Sequence, residues 1–291
     1  MPSERPSLRP LAASATAGQL AVMDAARLDR TILRVTGPDA RPFLDNLITQ
    51  DLGKLSAAPC LYGGLLSPQG KVQADFLIWP EASGGIWLEA DRARGPDLLR
   101  RLTMFKLRAA VTIEDASANM AAVSGQGAPD PRLPALGLRA LVPASEASTL
   151  SKDTTQYDAQ RVALGVPDLV QDAAPEEVFA LEALFDELNG VDFRKGCFVG
   201  QENVSRMKRR ATTRKKFCRL AFDGAAPASG APITAGAAEL GTVRSVAGGF
   251  ALGLLRLDRA LEALNQGQEL RAGEASVRLD PPDWLIMPEG G

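Results

Sequence analysis

The sequence predicts an α+β protein with mainly antiparallel sheets and a C-terminal β-barrel. Three observations carry that expectation. A hairpin, a third strand, a helix and a further strand follow one another over residues 50–117. A long stretch rich in Gly, Pro, Ala and Ser then leads into one well-patterned helix. After Arg214 the chain changes to short apolar runs separated by Gly and Pro. The first block reads as an α+β unit and the last as a small antiparallel barrel.

The elements follow in order. Thr31–Val35 reads as a strand, and Pro38 suits the first turn of a helix that places Phe43, Leu44, Leu47 and Ile48 on one face. Cys60–Leu66 and Lys71–Trp79 form a hairpin around the Ser67-Pro-Gln-Gly70 turn. Gly84-Gly85 precedes a strand over Ile86–Ala90. Pro96 opens a helix with Leu98, Leu99, Leu102 and Phe105 on one face, and Leu107–Glu114 returns as a strand. Residues 125–160 read as loop with short strands at most. Pro175-Glu-Glu177 opens a helix with a buried stripe of Val178, Leu181, Leu184, Phe185 and Leu188, which Asn189-Gly190 ends. Phe217–Phe222, Leu240–Val246, Phe250–Leu257 and Ser276–Leu279 supply the barrel strands.

Composition narrows the chemistry. The chain has 291 residues, 45% hydrophobic, and a formal net charge of −2, enough for two or three packed domains. No stretch approaches the ~18–20 apolar residues of a membrane span, so no membrane partner is expected. There is no histidine, which excludes His-based triads, His-bearing zinc sites and the usual pH switch. The three cysteines, Cys60, Cys197 and Cys218, have no C-x-x-C spacing. No metal site is expected, and the scattered thiols fit a reducing, cytoplasmic compartment. Residues 1–22 are expected to be a disordered tail.

The segment Arg194–Arg219 stands apart. It holds ten Lys or Arg and a single acid, Glu202, a net +9 on an otherwise acidic chain. The stripe reads as a solvated linker face or as a site for a polyanion: a polyglutamate tail, a phosphate backbone or an acidic partner. Cys197 lies inside it. Arg194, Lys195 and Arg206 surround it in sequence, and Gly196 and Gly200 allow unusual backbone angles or close approach. Cationic neighbours favour the thiolate, against the alternative of a cysteine that merely packs. Cys60 and Cys218 sit in apolar strand patterns and read as packing residues.

Lys195-Gly-Cys-Phe-Val-Gly-Gln-Glu202 resembles the K-G-C-[FY]-x-G-Q-E signature of the YgfZ family. That family comprises folate-binding relatives of the glycine-cleavage T-protein that help iron–sulfur proteins mature. Val35–Leu44, Thr49-Gln-Asp-Leu52, Leu66-Ser-Pro-Gln-Gly-Lys-Val72, Arg161-Val-Ala-Leu-Gly-Val-Pro167 and the runs Gly241–Ser245 and Ala251–Leu255 resemble further elements of the family, so the likeness spans roughly residues 23 to 287.

The resemblance implies a T-protein-like three-domain cloverleaf with a central folate. It implies a discontinuous first domain over 23–49 and 118–213, an inserted α+β domain over 50–117 and a barrel over 214–287. Tetrahydrofolate or a derivative is the implied cofactor. Cys197 and Asp75 are the implied reactive residues, and Asp75, Arg161, Lys195, Gly196, Gly200, Gln201, Glu202 and Arg206 the implied cofactor-binding set. Implied partners are iron–sulfur client or assembly proteins, and tRNA-modifying enzymes through thiomethylation. Two departures bear on catalysis. T-protein's paired acids after the glycine hairpin read Ala74-Asp75 here, and its pterin-holding glutamate reads Ala163. Both weaken a second reading, a tetrahydrofolate-dependent aminomethyltransferase, so the chain is expected to act as an accessory factor rather than a classical enzyme. A third reading, an RNA-binding module on the basic stripe, lacks the interleaved aromatics that stack bases.

Overall fold

The computed structural model describes residues 23–211 and 213–288. The tail expected at 1–22 lies outside them.

A two-residue strand β1 (Ala26–Arg27) precedes β2 (Arg30–Thr36) and helix α1 (Ala40–Asp45). The hairpin β3 (Leu61–Leu66) and β4 (Val72–Pro80) follows, then β5 (Ile86–Asp91), helix α2 (Gly95–Lys106) and β6 (Thr112–Asp115). These strands make a five-stranded antiparallel sheet in the order β3-β4-β5-β2-β6. Its β2 pairs with both β5 and β6. The sheet therefore reaches back before residue 50, where the sequence reading set the start of the inserted unit.

The sheet is buried on both faces, which its alternating side chains show. Leu61, Leu65, Ala74, Phe76 and Ile78 point to one face and pack with Phe43 and Leu44 of α1 and Leu98 and Leu102 of α2. Tyr62, Leu66, Leu77 and Trp79 point to the other face and join a core that runs through Val178–Val191 into the barrel.

Two expectations for the middle of the chain are overturned. Residues 125–160 are more regular than their composition implies. Here β7 (Met120–Pro129) and β8 (Leu138–Pro143) form a hairpin, extended by β1, and helix α3 (Thr155–Ala163) follows. A register shift between Ser124 and Ala128, with Gly125 and Gly127 at φ of +82° and +98°, breaks the period-two pattern and hid the strand.

The helix expected over 175–190 does not form; the segment is a run of turns. Its first backbone groups pair with the β3–β4 turn instead. Glu176 N–H donates to Val72 O at 3.0 Å, Val72 N–H to Val178 O at 2.9 Å and Ala180 N–H to Gly70 O at 3.2 Å. Glu176, Leu184 and Asn189 take positive φ, which no continuous helix permits. The buried stripe nevertheless survives, because Val178, Leu181, Leu184, Phe185 and Leu188 are all buried.

Helix α4 (Gln201–Arg210) leads to the barrel strands β9 (Lys215–Phe222), β10 (Pro232–Ala235), β11 (Ala238–Ala247) and β12 (Phe250–Arg256). Helix α5 (Leu257–Asn265), β13 (Leu270–Ala272) and β14 (Ala275–Leu279) complete it. The six strands close in the order β10-β11-β12-β9-β14-β13, which leaves no free edge.

Candidate functional site

The motif segment forms an exposed loop followed by α4. Cys197 is exposed, whereas Cys60 and Cys218 are buried. Burial first, then the carboxylates of Asp130 and Glu89, pushes the Cys60 thiol up to about 12. Burial pushes Cys218 to about 12 as well. Both are poor nucleophiles at neutral pH, which leaves Cys197 as the accessible thiol.

The residues bracketing Cys197 act differently from one another. Lys195 does not point its charge at the thiol. Its ammonium donates to the carbonyl oxygens of Asp45 at 2.8 Å, Ile48 at 2.8 Å and Gln50 at 2.7 Å. The side chain is 4% exposed. Burial lowers its pKa, and the nearby carboxylates of Asp45, Asp51 and Asp192 only partly oppose that. Lys195 is thus a strut between the cysteine loop and the chain leaving α1, not a ligand-facing cation.

Gly196 has open space where a Cβ would stand and takes no positive φ, so nothing there requires glycine. Gly200 does. It sits at φ +82° ahead of α4, and a Cβ would lie 2.6 Å from the Ser67 carbonyl oxygen. That contact packs the start of α4 against the β3–β4 turn, where Asn203 Nδ2 donates to Gln69 O at 2.7 Å. Gln201 closes the cysteine loop by donating to Gly196 O at 3.3 Å. Glu202 is exposed on the first turn of α4, where a carboxylate complements the helix dipole. Arg206 donates to Asn203 Oδ1.

The basic stripe is less free than its count implies. Lys208 pairs with Asp186 at 3.0 Å, Lys216 with Glu187, and Arg219 with Asp280 at 3.0 Å. Arg194, Arg206, Arg209, Arg210 and Lys215 make no ion pair among the described residues, so the open cations lie on α4 and on the segments just before and after it.

Arg161 is not available to a cofactor. It is 1% exposed, and its guanidinium donates to Asp158, Val166 O, Asp172, Gln171 and Ser245. It ties α3 to the 166–172 loop and to β11 of the barrel.

Asp75 lies apart from the cysteine loop, on β4. Tyr62 donates to its Oδ2 at 3.1 Å, and among the described residues Oδ1 accepts no hydrogen bond. Burial, then repulsion from Asp168, raises its pKa, while Arg30 and Arg132 pull it down. A cleft with a cavity volume of about 10 Å³, room for about one water, adjoins it, lined by Val72, Asp75, Arg94, Leu169, Ala173 and Val178. No barrel residue lines that cleft. Behind Asp75 runs a buried network that no sequence motif marks. Glu89 accepts from Trp79 and Arg139, Tyr157 accepts from Arg132 at 2.7 Å and from Arg139 at 3.2 Å, and Arg132 pairs with Asp130 at 2.7 Å. Its members come from β4, β5, the β7–β8 hairpin and α3, and no local spacing signals their meeting.

The acceptor beside this cleft suits a reduced folate in chemistry. A half-buried carboxyl with one free oxygen is the acceptor that a pterin's adjacent N–H groups pair with. At about 10 Å³ the cavity is far below the ~300–1,000 Å³ usual for ligand pockets and has no room for a pterin ring as it stands, so the match rests on the chemistry of the Asp75 carboxyl alone.

Fold and site together define a glycine-cleavage T-protein-like chain that carries one accessible thiol on a strut-held loop. Comparison with known proteins agrees. Residues 12–133 match the GCVT N-terminal domain family and residues 214–286 the CAF17 C-terminal beta-barrel domain family. The fold is similar to that of the glycine cleavage system aminomethyltransferase T from Bartonella henselae, with a TM-score of 0.69 at 16% identity, covering 90% of this chain and 86% of that one.

The chain belongs to the family of the iron–sulfur cluster assembly factor IBA57. It is 32% identical to the mitochondrial human IBA57 over 302 residues, covering 89% of this chain and 84% of the relative. The mitochondrial mouse IBA57 is 30% identical over the same shares. The Neurospora crassa homolog is 30% identical over 235 residues, and there the chain spans 54% of the relative's length. No helix among the described residues is long and apolar enough to cross a membrane.

Proposed function

We propose that this protein is a reduced-folate-binding accessory factor for the maturation or repair of iron–sulfur proteins, working in a reducing compartment. The exposure of Cys197 is the observation that carries the reading. It is the accessible one of three cysteines, and it lies in the motif shared in kind with the YgfZ family. One thiolate cannot hold a cluster that takes about four ligands. Cys197 therefore completes the ligand set of a cluster carried by a partner protein or glutathione. Asp75 would hold a folate's pterin N–H groups, and the open cations Arg194, Arg209 and Arg210 would favour acidic or polyglutamylated groups.

The aminomethyltransferase reading is the weaker one. Ala74 replaces one of the paired acids, and the remaining Asp75 has its carboxyl hydrogen-bonded by a buried tyrosine. Support for tRNA thiomethylation enzymes is one expected consequence of the main reading, since such enzymes carry clusters.

The experiment has two arms. The chain is expressed in a strain lacking its own relative, and the activities of cluster-bearing enzymes are assayed. Purified protein is titrated with tetrahydrofolate by calorimetry. Restored activities with saturable folate binding support the reading. Failure to restore them in a strain that expresses folded protein rejects it.

A further inference from the structure

We propose that the turn closing α2 is a peripheral attachment point for an anionic lipid surface. Met104, Phe105 and Leu107 are 64%, 43% and 90% exposed, three of the large apolar side chains most open to water among the described residues. They follow one another within four residues. Lone exposed apolar side chains need no explanation, but three on one turn do.

The backbone singles out the same spot. Leu107 takes φ +40° and ψ −104°, a conformation near the first central position of a type II′ turn, which glycine favours. Ala109 N–H donates to Lys106 O at 2.8 Å and closes that turn. A leucine here is strained and exposed at once. Leu107 joins none of the buried apolar clusters, and a contact outside the fold would use both properties.

Charge and size decide the occupant. Arg100, Lys106 and Arg108 flank the tip, Arg101 is engaged by Asp97 and Glu176, Asp97 is the single carboxylate of the helix, and beyond the turn Asp39 accepts from Ala110 N–H at 2.8 Å. Asp97 is bound by Arg100 and Arg101. Lys106 and Arg108 have no ionic partner among the described residues. A second copy of this chain docking by the same face would set these cations against themselves. A stable protein interface takes about 800 Å² per partner, and one turn offers far less. An apolar tip ringed by Lys and Arg needs only shallow entry into a bilayer interface whose headgroups are anionic. The expectation of no membrane partner rested on spanning segments alone, and peripheral attachment needs none.

The test is sedimentation of the full chain with vesicles of phosphatidylcholine alone and of phosphatidylcholine mixed with phosphatidylserine. Wild type should co-sediment with the mixed vesicles and not with the neutral ones, and added salt should release it. Leu107→Gly should weaken that association by about tenfold while raising the melting temperature, because glycine relieves the positive φ. Phe105→Ser with Leu107→Ser should abolish it without loss of stability. Arg209→Glu with Arg210→Glu, at the end of α4, should change it less than Leu107→Gly does. Absence of wild-type binding to the mixed vesicles would overturn the proposal and leave the tip to a protein partner. Undiminished binding of the Leu107 and Phe105 variants would overturn it equally, since the charge of α4 alone would then hold the lipid.

Discussion

The ammonium of Lys195 lies 2.8 Å from the carbonyl oxygen of Ile48, 147 residues earlier in the chain. That bond and its two companions to Asp45 O and Gln50 O fasten the cysteine loop to the end of α1. The last turn of a helix leaves its carbonyls without intrahelical partners, and Lys195 satisfies one of them together with two carbonyls of the following turn. The motif lysine thus sets where Cys197 stands.

Lys195→Met should therefore destabilise the fold by about 3 kcal/mol, because it leaves buried carbonyls unpaired. Lys195→Arg should not restore stability, since a planar guanidinium cannot converge on three carbonyls as a tetrahedral ammonium does. Urea unfolding of the three proteins measures this. Equal midpoints would show that the strut carries no load.

The two motif glycines should part company. Gly200→Ala meets the Ser67 carbonyl at 2.6 Å and a positive φ, and should cost about 2 kcal/mol or more. Gly196→Ala has open space and should fall within about 0.5 kcal/mol of wild type. Thermal melts of both variants decide it.

Asp186 and Glu187 form a buried acid pair between α4 and the barrel, held by Lys208 and Lys216. Burial, then the hydrogen bond to Asp186, pushes Glu187 up to about 8 from an ordinary 4.5. Burial would raise Asp186 too, but its bonds with Glu187 and Lys208 hold it low. The folded protein therefore keeps a proton that the unfolded chain releases. The stability this contributes is complete below pH 4.5 and is lost as pH rises to about 8. Glu187→Gln removes that titration, so the fall in unfolding free energy across this window should be shallower than in wild type. Denaturant titrations at a series of pH values test the sign. A parallel slope in both proteins would place the proton elsewhere.

Much of this architecture is legible in the sequence, and the exceptions share one cause. The Ser67-Pro-Gln-Gly70 turn marked the β3–β4 hairpin, and short apolar runs between Gly and Pro marked the barrel strands, because turn chemistry and strand hydrophobicity are local signals. The 175–190 segment carries the right apolar spacing for a helix, yet Val72 and Gly70 take its first backbone groups into a bridge with the hairpin turn. Local propensity yielded there to tertiary hydrogen bonds. The site divides in the same way. Cys197 and Gly200 are readable because the motif is contiguous. The role of Lys195 is not, because its partners lie at residues 45–50. Arg161 looked like a ligand-facing cation, and its four other partners from residue 166 onward were invisible from its own neighbourhood.

Asp75→Asn replaces an acceptor oxygen by a donor, and should lower affinity for tetrahydrofolate by about tenfold, the scale of one hydrogen bond to a charged group. Tyr62→Phe frees Oδ2 and should alter affinity less. Calorimetry on both variants, with melting temperatures as control, measures the difference. Unchanged binding by Asp75→Asn would remove the cavity beside β4 from the folate site.

The central claim is that Cys197 acts through its thiol and not through packing. Its most direct measurement compares Cys197→Ser, Cys60→Ser and Cys218→Ser in a strain lacking its own relative, assayed for cluster-enzyme activities, with melting temperature and folate affinity measured on each purified protein. Cys197→Ser should keep wild-type stability and folate binding, because the residue is exposed and the change nearly isosteric, while activity falls sharply. Cys60→Ser and Cys218→Ser should lower the melting temperature, because each buries a hydroxyl among apolar neighbours, and lose activity only in step with stability. Full complementation by Cys197→Ser would contradict the account and reduce the exposed cysteine to a bystander in its motif.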